Sequence, residues 1–370
     1  MQLAFYLLAV VPLMLLVWWY LYKYFLRMFE RFFGRLSEKR RKWLSALLSA
    51  AVTLPAADIW SLWAVVLLYL MLFVLAMDLA NALVERLHRK AHPRWTRLWR
   101  GGLVPLLCTA LLVSYGSWNM QQIRQTDYTI LTQKDIRPAG WRVALVSDLH
   151  FGTTMDAEKL QTVCERVSAA EPDFVILGGD IVDEHTTKQE MLAAVRALGG
   201  IQSRYGIFYV FGNHDKNRYT LHKAYTAEEL RAALTGMGIH IMEDERVRLQ
   251  DDVTLVGRRD RSETGRQSAA ALLAGADRSD FLILADHQPK DLRDSCAAGY
   301  DLELSGHTHG GQIWPCGTVA DLFNPAHFSY GLLERGNYRL IVTSGLAGWG
   351  YAVRTEHHCE YVIVNIERAA

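Results

Sequence analysis

Five short segments of this 370-residue chain concentrate aspartate, histidine and asparagine, the side chains that bind metals and carry protons. Each segment directly follows an apolar, β-prone run, and in an α/β sheet ligands bind where strands end. Asp148 and His150 lie two positions apart, and His307 and His309 repeat that spacing, which on extended backbone aims both side chains the same way. We therefore expect one shared site with these candidate metal ligands: Asp148, His150, Asp180, Asn213, His287, His307 and His309.

This set of nitrogen and oxygen donors is too large for one ion, since a catalytic zinc takes about three protein ligands. Two divalent cations are therefore expected, with a bridging carboxylate between them. We expect the first ion to be bound by Asp148, His150 and His309. We expect the second to be bound by Asn213, His287 and His307, with the Asp180 carboxylate as the bridge. The donors suit Mn²⁺, Fe or Zn²⁺ better than Ca²⁺, and the choice among those three stays open.

Such a pair of ions suits hydrolysis at phosphorus. Two ions sharing a water lower its pKa from about 15.7 towards ~7, which supplies hydroxide at neutral pH. The departing alkoxide then needs a proton. We predict that His214 supplies it, because neighbouring Asn213 is committed to the metal and consecutive side chains diverge. Asp183 or Asp215 is expected to orient that imidazole or a metal-binding histidine from behind.

In order along the chain, the clusters form five motifs: Asp148-x-His150, Gly179-Asp180-x-x-Asp183, Gly212-Asn213-His214-Asp215, His287 and Gly306-His307-x-His309. This ordered set resembles the calcineurin-like metallophosphoesterases across roughly residues 140 to 366. The stretch 306–312, with the later 344–346 and Arg354, is similar to the membrane-associated bacterial branch of that family. The resemblance implies a dinuclear site on an αββα sandwich. We expect Arg354 to meet a substrate phosphate, the alternative being a simple ion pair with an acid.

The sequence patterning independently favours an α/β domain. Apolar strand-like runs alternate with amphipathic helical stretches after residue 140. Strands are predicted at 128–131, 142–146, 174–177, 207–211, 254–256, 281–284, 302–304 and 338–342. Helices are predicted at 157–170, 188–198, 227–235 and 267–273.

Charge divides the chain into two parts. Residues 1–120 contain 14 Lys and Arg against 5 Asp and Glu, whereas the remaining 250 residues contain 26 against 34. Apolar runs in the first part predict four membrane spans, since about 20 residues cross a ~30 Å hydrocarbon core: 1–22, 43–57, 59–77 and 103–118. The expected organisation is a transmembrane anchor of about four helices over 1–120, a linker over 121–140 and a metallophosphoesterase domain over 141–370.

The basic residues predict how the spans are oriented. One cluster lies within 23–42 and another within 86–100, and both are expected in the cytoplasm. An even number of spans between them follows, so the chain is expected to be a multi-pass protein of the inner membrane with its large domain outside the cytoplasm. The short second span is the open point, because three crossings would place that domain inside. The run 1–22 lacks a basic n-region, so we interpret it as a retained span and not as a signal peptide.

Several function classes are excluded. The acidic balance after residue 120 opposes nucleic-acid binding, which needs a basic surface. The chain lacks GxGxxG, GxxxxGK[ST] and HExxH, and its five cysteines show no CxxC spacing. We therefore predict a membrane-anchored dimetal hydrolase of phosphodiesters or pyrophosphates. Because the anchor keeps the site beside lipid, we hypothesise a lipid-linked substrate. The alternative is a non-catalytic metal-binding ectodomain that acts as a membrane sensor or scaffold; the oligomeric state stays open.

Overall fold

The computed structural model describes residues 10–88, 92–324 and 328–369. The chain divides into two compact units, Met1–Ser117 and Trp118–Ala370. Residues 1–9 of the predicted first span lie outside the described residues, as do Arg89 and Lys90 of the second basic cluster.

Helices precede the first strand. They are α1 (Val11–Phe32), α2 (Glu38–Thr53), α3 (Leu62–His88), α4 (Pro93–Gly101) and α5 (Leu103–Asn119), with a 3₁₀ turn at Leu54–Ala57. An acidic residue within α3 is fully compensated. The Asp78 carboxylate accepts hydrogen bonds from Tyr20 and Trp99, each at 2.6 Å, and pairs with Arg27 at 2.8 Å. A charge in an apolar helix is stable only with such partners.

Among the described residues, α3 is long and apolar enough to cross a membrane. Helices α4 and α5, which are bent by 55° at their junction, would together make a second crossing if they act as one span. The other two predicted crossings are not confirmed. Helix α2 begins within the charged stretch and is too short, and α1 extends into that stretch while residues 1–9 of its predicted span lie outside the described residues. Four membrane spans therefore stay a prediction.

The second unit is built of alternating strands and helices. Its strands are β1 (Ile123–Thr132), β2 (Trp141–Val146), β3 (Phe174–Leu177), β4 (Ile207–Tyr209), β5 (His240–Ile241), β6 (Glu245–Leu249), β7 (Val253–Gly257), β8 (Phe281–Ala285), β9 (Leu302–Ser305), β10 (Gly331–Arg335), β11 (Tyr338–Val342) and β12 (Cys359–Arg368). Its helices are α6 (Ala157–Ala169), α7 (Lys188–Gly199), α8 (Ala227–Gly236), α9 (Ala269–Leu272), α10 (Leu292–Ala298) and α11 (Cys316–Phe323).

The strands form two mixed six-stranded sheets, as the α/β prediction requires. The first has the order β1-β12-β2-β3-β4-β5 and the second the order β10-β11-β9-β8-β7-β6. Strands β2, β3 and β4 are parallel neighbours, and so are β7, β8 and β9. Antiparallel pairs occur at β12 with β2, at β6 with β7 and at β10 with β11.

Successive side chains of a strand point to opposite faces of its sheet, so each face packs against a different layer of the domain. In β2, Val143 and Leu145 join a buried cluster with residues of the second sheet, whereas Ala144 and Val146 pack with residues of α6, α7 and α8. A third cluster packs α9 and α10 against the outer face of the second sheet. The order of layers is thus helices, sheet, sheet and helices, the αββα arrangement that the resemblance implies.

The segment 121–140, expected to be a linker, contributes an edge strand. Strand β1 pairs in parallel with β12 over ten residues, from Ile123 opposite Cys359 to Thr132 opposite Arg368. The predicted strand at 128–131 lies in the C-terminal half of this longer strand.

Candidate metal centre

The loops that carry the candidate ligands are tied together by backbone hydrogen bonds. The N–H of Asp148, after β2, donates to the carbonyl of Gly179, after β3, at 3.0 Å. The N–H of Gly306, after β9, donates to the carbonyl of His287, after β8, at 3.0 Å. The two sheets are joined as well, since Nδ1 of His287 lies 2.8 Å from the carbonyl oxygen of Gly178. The strand ends of both sheets therefore meet at one place.

The first cluster contains Asp148, His150 and His309, all buried. Nε2 of His150 lies 3.2 Å from Nε2 of His309, and Nε2 of His309 lies 3.6 Å from Oδ1 of Asp148. Two imidazole nitrogens and one carboxylate oxygen thus converge on one point. These separations match donors spaced around a cation at about 2.0–2.2 Å from each.

The second cluster contains Asp180, His287 and His307. Oδ2 of Asp180 lies 3.0 Å from Nε2 of His287 and 3.8 Å from Nε2 of His150, so this carboxylate lies between the two clusters. Nε2 of His287 is buried and makes no hydrogen bond of normal geometry with any described group, although Asp180 is within reach. Two side chains that lie this close without an aligned hydrogen bond are typical of two ligands of one metal ion.

Asn213 supplies a further observation that fits a cation. Its side chain is buried, and Oδ1 has no hydrogen-bond partner among the described residues. A buried amide oxygen left without a partner costs about 1–3 kcal/mol, so such atoms normally have one. Together with His287 Nε2, it makes two buried polar atoms in this site without a hydrogen-bond partner among the described residues. The donor set of the two clusters therefore fits two divalent cations.

The protonation states suit metal binding in part of the site. Burial, reinforced by the neighbouring His287, lowers the pKa of His307 to about 3. Burial and the adjacent His150 hold the pKa of His309 well below its ordinary value. Both rings are thus neutral at pH 7, the form in which histidine binds metals. Burial raises the pKa of Asp180, but the neighbouring imidazoles of His287, His150 and His214 outweigh burial and hold that pKa below its ordinary value, so Asp180 is ionised.

The backbone at the ligands has an uncommon conformation. Five of them have φ in the left-handed region: Asp148 (55°), His150 (40°), Asp180 (50°), His307 (71°) and His309 (52°). Each such residue costs on the order of 1–2 kcal/mol, and the surrounding hydrogen bonds must hold it. Aspartate and histidine tolerate this region better than most residues. The site is therefore preformed at the expense of backbone strain.

Two glycines allow the loops to approach this closely. A Cβ on Gly212 would lie 2.5 Å from the backbone N of Asp180 and closer still to its Oδ1. A Cβ on Gly306 would overlap the side chains of Asp148 and Ser147. The absence of a side chain at these positions is what brings the ligand loops into contact.

Asp183 and Asp215, predicted to act from behind, contact different groups. Oδ2 of Asp183 lies 3.2 Å from Nδ1 of His150 and so fixes that ring's orientation. Asp215 is buried and accepts hydrogen bonds from the backbone N–H of Asp180 at 2.9 Å and of Gly212 at 2.7 Å. It holds two ligand loops together and orients no imidazole.

His214, the predicted proton donor, lies half-buried beside the clusters. Its backbone N–H donates to Oδ1 of Asp180 at 2.8 Å, and its ring centroid lies 5.3 Å from that of His150. Nδ1 lies 2.8 Å from Oε2 of Glu184, a residue that sequence reasoning missed. Burial lowers the pKa of His214, but Glu184 and Asp180 outweigh burial and raise that pKa above its ordinary value. The imidazole is therefore biased towards its proton-carrying form.

Arg354 corrects the expectation that it contacts substrate. Its guanidinium is completely buried and donates to the carbonyls of His309 at 2.6 Å, Ser344 at 2.9 Å and Ala347 at 2.9 Å. These contacts order the backbone around His309, whose Nδ1 lies 3.2 Å from the same Ala347 carbonyl. The alternative of an ion pair does not hold either, because the partners are backbone oxygens.

Two facing Asp/His clusters at the strand ends of an αββα domain define a metal-binding hydrolase-like domain. The calcineurin-like phosphoesterase family model matches residues 142–311. An uncharacterized metallophosphoesterase, YkoQ of Bacillus subtilis, is 31% identical over 193 residues, which cover 50% of this chain and 68% of that protein. The chain belongs to the calcineurin-like metallophosphoesterase family.

Two further relatives extend the comparison. An uncharacterized metallophosphoesterase of Helicobacter pylori strain J99 is 32% identical over 219 residues, covering 58% of this chain and 56% of that protein. A Danio rerio protein named as a transmembrane protein with a metallophosphoesterase domain is 29% identical over 290 residues, covering 73% of this chain and 64% of that protein. The chain thus spans about 56–64% of the length of these two relatives.

Proposed function

We propose that this chain is a dimetal phosphoesterase that hydrolyses phosphodiester or pyrophosphate bonds. The observation that supports the proposal most strongly is the position of the Asp180 carboxylate, 3.0 Å from His287 of one cluster and 3.8 Å from His150 of the other. A carboxylate so placed is suited to bridge two cations at about 3.5–4 Å, the separation used for in-line displacement at phosphorus.

The ligand roles belong to the same proposal. Asp148, His150 and His309 would hold one ion, and Asn213, His287 and His307 the other, with Asp180 common to both. Bound Mn²⁺, Fe or Zn²⁺ would supply Lewis-acid activation of water and neutralise phosphate charge. The chain's own contribution is to keep the donors buried and fixed, with His307 and His309 neutral and Asp180 anionic. Asp183 helps to fix the His150 ring, and Asp215 helps to hold the ligand loops together.

His214 is proposed to protonate the leaving oxygen. Its hydrogen bond to Glu184 fixes the ring and raises its pKa, which keeps a proton available near neutral pH. The backbone bond to Asp180 ties the ring's position to the bridging carboxylate. The acid is thereby held beside the place where a phosphoester would bind.

We further propose that the chain is anchored in a membrane and that its substrate carries a lipid portion. Helix α3 supports the anchor by its length and apolar character. Four spans and a domain outside the cytoplasm are the arrangement that the basic clusters favour. Cys316 provides the test of orientation, because it is the exposed one of the five free cysteines. A membrane-impermeant maleimide added to intact cells should label Cys316, and labelling only after lysis would place the domain in the cytoplasm.

The activity test compares full-length protein in detergent after chelation and after loading with Mn²⁺. Phosphomonoesters, phosphodiesters and nucleotide-lipid pyrophosphates are offered in parallel. We expect Mn²⁺-dependent turnover of diesters or pyrophosphates, with monoesters slower. Two bound ions without turnover of any ester would instead favour the non-catalytic metal-binding ectodomain. Turnover of soluble diesters without turnover of any lipid-bearing substrate would refute the proposal that the substrate carries a lipid portion. It would leave the proposed phosphoesterase activity standing.

A further inference from the structure

A cavity of about 390 Å³ opens beside the second cluster. Its lining includes His307, a candidate ligand, and Lys290. Cys316, Gly317 and Ala320 of helix α11 form another part of the lining. The cavity lining therefore combines a candidate metal ligand and a lysine with small residues of helix α11.

Helix α11 is fixed to the loop that carries the metal ligands. The Glu356 carboxylate accepts hydrogen bonds from the backbone N–H of Gly317 and Thr318, both at 3.1 Å, at the helix N-terminus. A Cβ on Gly317 would lie 2.8 Å from Cα of Gly311, so the two backbones touch. Since Gly311 follows His309 by two residues, the helix is held in a set position next to the site.

The exposed end of this helix is apolar. Phe323 is 79% exposed and Leu322 is 72% exposed. Phe323 follows Cys316 by seven positions and Ala320 by three, so these three share one face of the helix, whereas Leu322 is rotated about 100° from Phe323 and lies off that face. The apolar wall of the cavity thus continues along the helix to an exposed aromatic ring. A continuous apolar surface that leads out of a polar site typically binds an apolar ligand.

We propose that the cavity and the Cys316–Ala320–Phe323 face of α11 bind the hydrocarbon chain of an amphiphilic phosphoester. The phosphate would lie against His307 and Lys290, where the charge of Lys290 complements it, and the chain would run along α11. The inference rests on the proposed phosphoesterase function and names the part of the protein that selects a lipid-bearing substrate. A flat membrane surface is the less favoured occupant, because only one side of the helix continues the cavity wall.

The test uses full-length protein loaded with Mn²⁺ and two chromogenic diesters that differ only in chain length. Methyl p-nitrophenyl phosphate and dodecyl p-nitrophenyl phosphate, the latter kept below its critical micelle concentration, share the same leaving group. We expect a higher kcat/KM for the dodecyl ester. Phe323→Ser should reduce the dodecyl-to-methyl ratio about tenfold, the factor expected from losing roughly 50 Å² of apolar contact.

Leu322→Ser is the matched control, since it removes an equally exposed apolar side chain that lies off this face of the same helix. This variant should keep the wild-type ratio. If both variants lower the ratio and also weaken binding to phosphatidylglycerol vesicles, α11 binds a membrane surface and the proposal is overturned. Hydrolysis of neither ester would refute the proposed function, whereas hydrolysis of both at equal kcat/KM would refute only the chain-binding face.

A second readout does not depend on turnover. Dodecylphosphonate cannot be hydrolysed, and its chain should cover Cys316, which is exposed on the cavity wall. We expect it to slow alkylation of Cys316 by N-ethylmaleimide, followed by mass spectrometry, at least fivefold relative to methylphosphonate at saturating concentrations. Equal alkylation rates with the two phosphonates would overturn the proposal.

Discussion

Replacing Gly212 by alanine tests whether the close approach of two ligand loops is what builds the metal centre. The new Cβ would lie 2.5 Å from the backbone N of Asp180. Carbon and nitrogen pack comfortably at about 3.5 Å, so the loops must separate by roughly 1 Å. A side-chain rotation of Asp180 cannot relieve this overlap, because a backbone atom is involved. Asp180 and Asn213 would therefore move apart.

Metal sites tolerate ligand displacements of only about 0.2 Å, so a separation of this size should abolish the bridge. We expect Gly212→Ala to raise the dissociation constant of at least one ion by about 100-fold and to reduce the bound Mn²⁺ from two ions to one or fewer. Overpacking should also destabilise the fold by about 1–3 kcal/mol. The measurement is titration of metal-free, full-length protein by calorimetry, with bound metal counted by mass spectrometry.

The control is Gly236→Ala at the end of α8, where an added Cβ meets no atom within 4 Å. It should retain both ions at wild-type affinity. If Gly212→Ala fails to fold, Gly306→Ala serves in its place, because the three atoms nearest its Cβ belong to the side chains of Asp148 and Ser147. A folded Gly212→Ala protein that binds two ions with wild-type affinity would refute the reasoning.

Four further substitutions each change a single side chain. Asp180→Asn should lose metal at both positions, and metal analysis that still finds two ions would contradict the bridging role. His214→Ala should keep both ions but slow hydrolysis of esters with poor leaving groups by about 10²–10⁴. Glu184→Gln should slow the same esters about tenfold. If p-nitrophenyl esters are slowed as much as esters with poor leaving groups, a proton-donor role is excluded. Burial, followed by the charge of Asp286, raises the pKa of Glu303 from its ordinary 4.5 to about 7, so the folded state favours the protonated acid. The stability that protonated Glu303 contributes is complete below pH 4.5 and is lost as the pH rises through 7. Glu303→Gln should therefore match the wild-type unfolding free energy at pH 4.5 and exceed it by on the order of 3 kcal/mol at pH 8, and a pH-independent difference in denaturant titrations would contradict this.

The strand-end clusters could be predicted because they depend on a local pattern. Strands β3 (Phe174–Leu177) and β11 (Tyr338–Val342) coincide with the predicted bounds, since each is a short apolar run that ends in polar residues. Helix α7 (Lys188–Gly199) begins where predicted because Thr187 and Glu190 form a capping box. Both signals are visible in consecutive residues.

What sequence reasoning missed depends on contacts between distant segments. Glu184 was overlooked because its partner His214 lies 30 positions away, and its only local signal was its place beside Asp183. Arg354 was misassigned because its partners are backbone carbonyls, which leave no trace in residue types. Helix α11 was missed because it is short and contains a glycine, so its periodicity is brief.

Strand β12 (Cys359–Arg368) lies between β1 and β2, although every other element of the domain precedes it in the chain. During synthesis on a ribosome, β1 therefore has no neighbour until nearly the whole domain has emerged, and the sheet closes late, as contacts between distant segments do. A truncation that removes β12 would leave β1 unpaired and the flank of β2 open to aggregation.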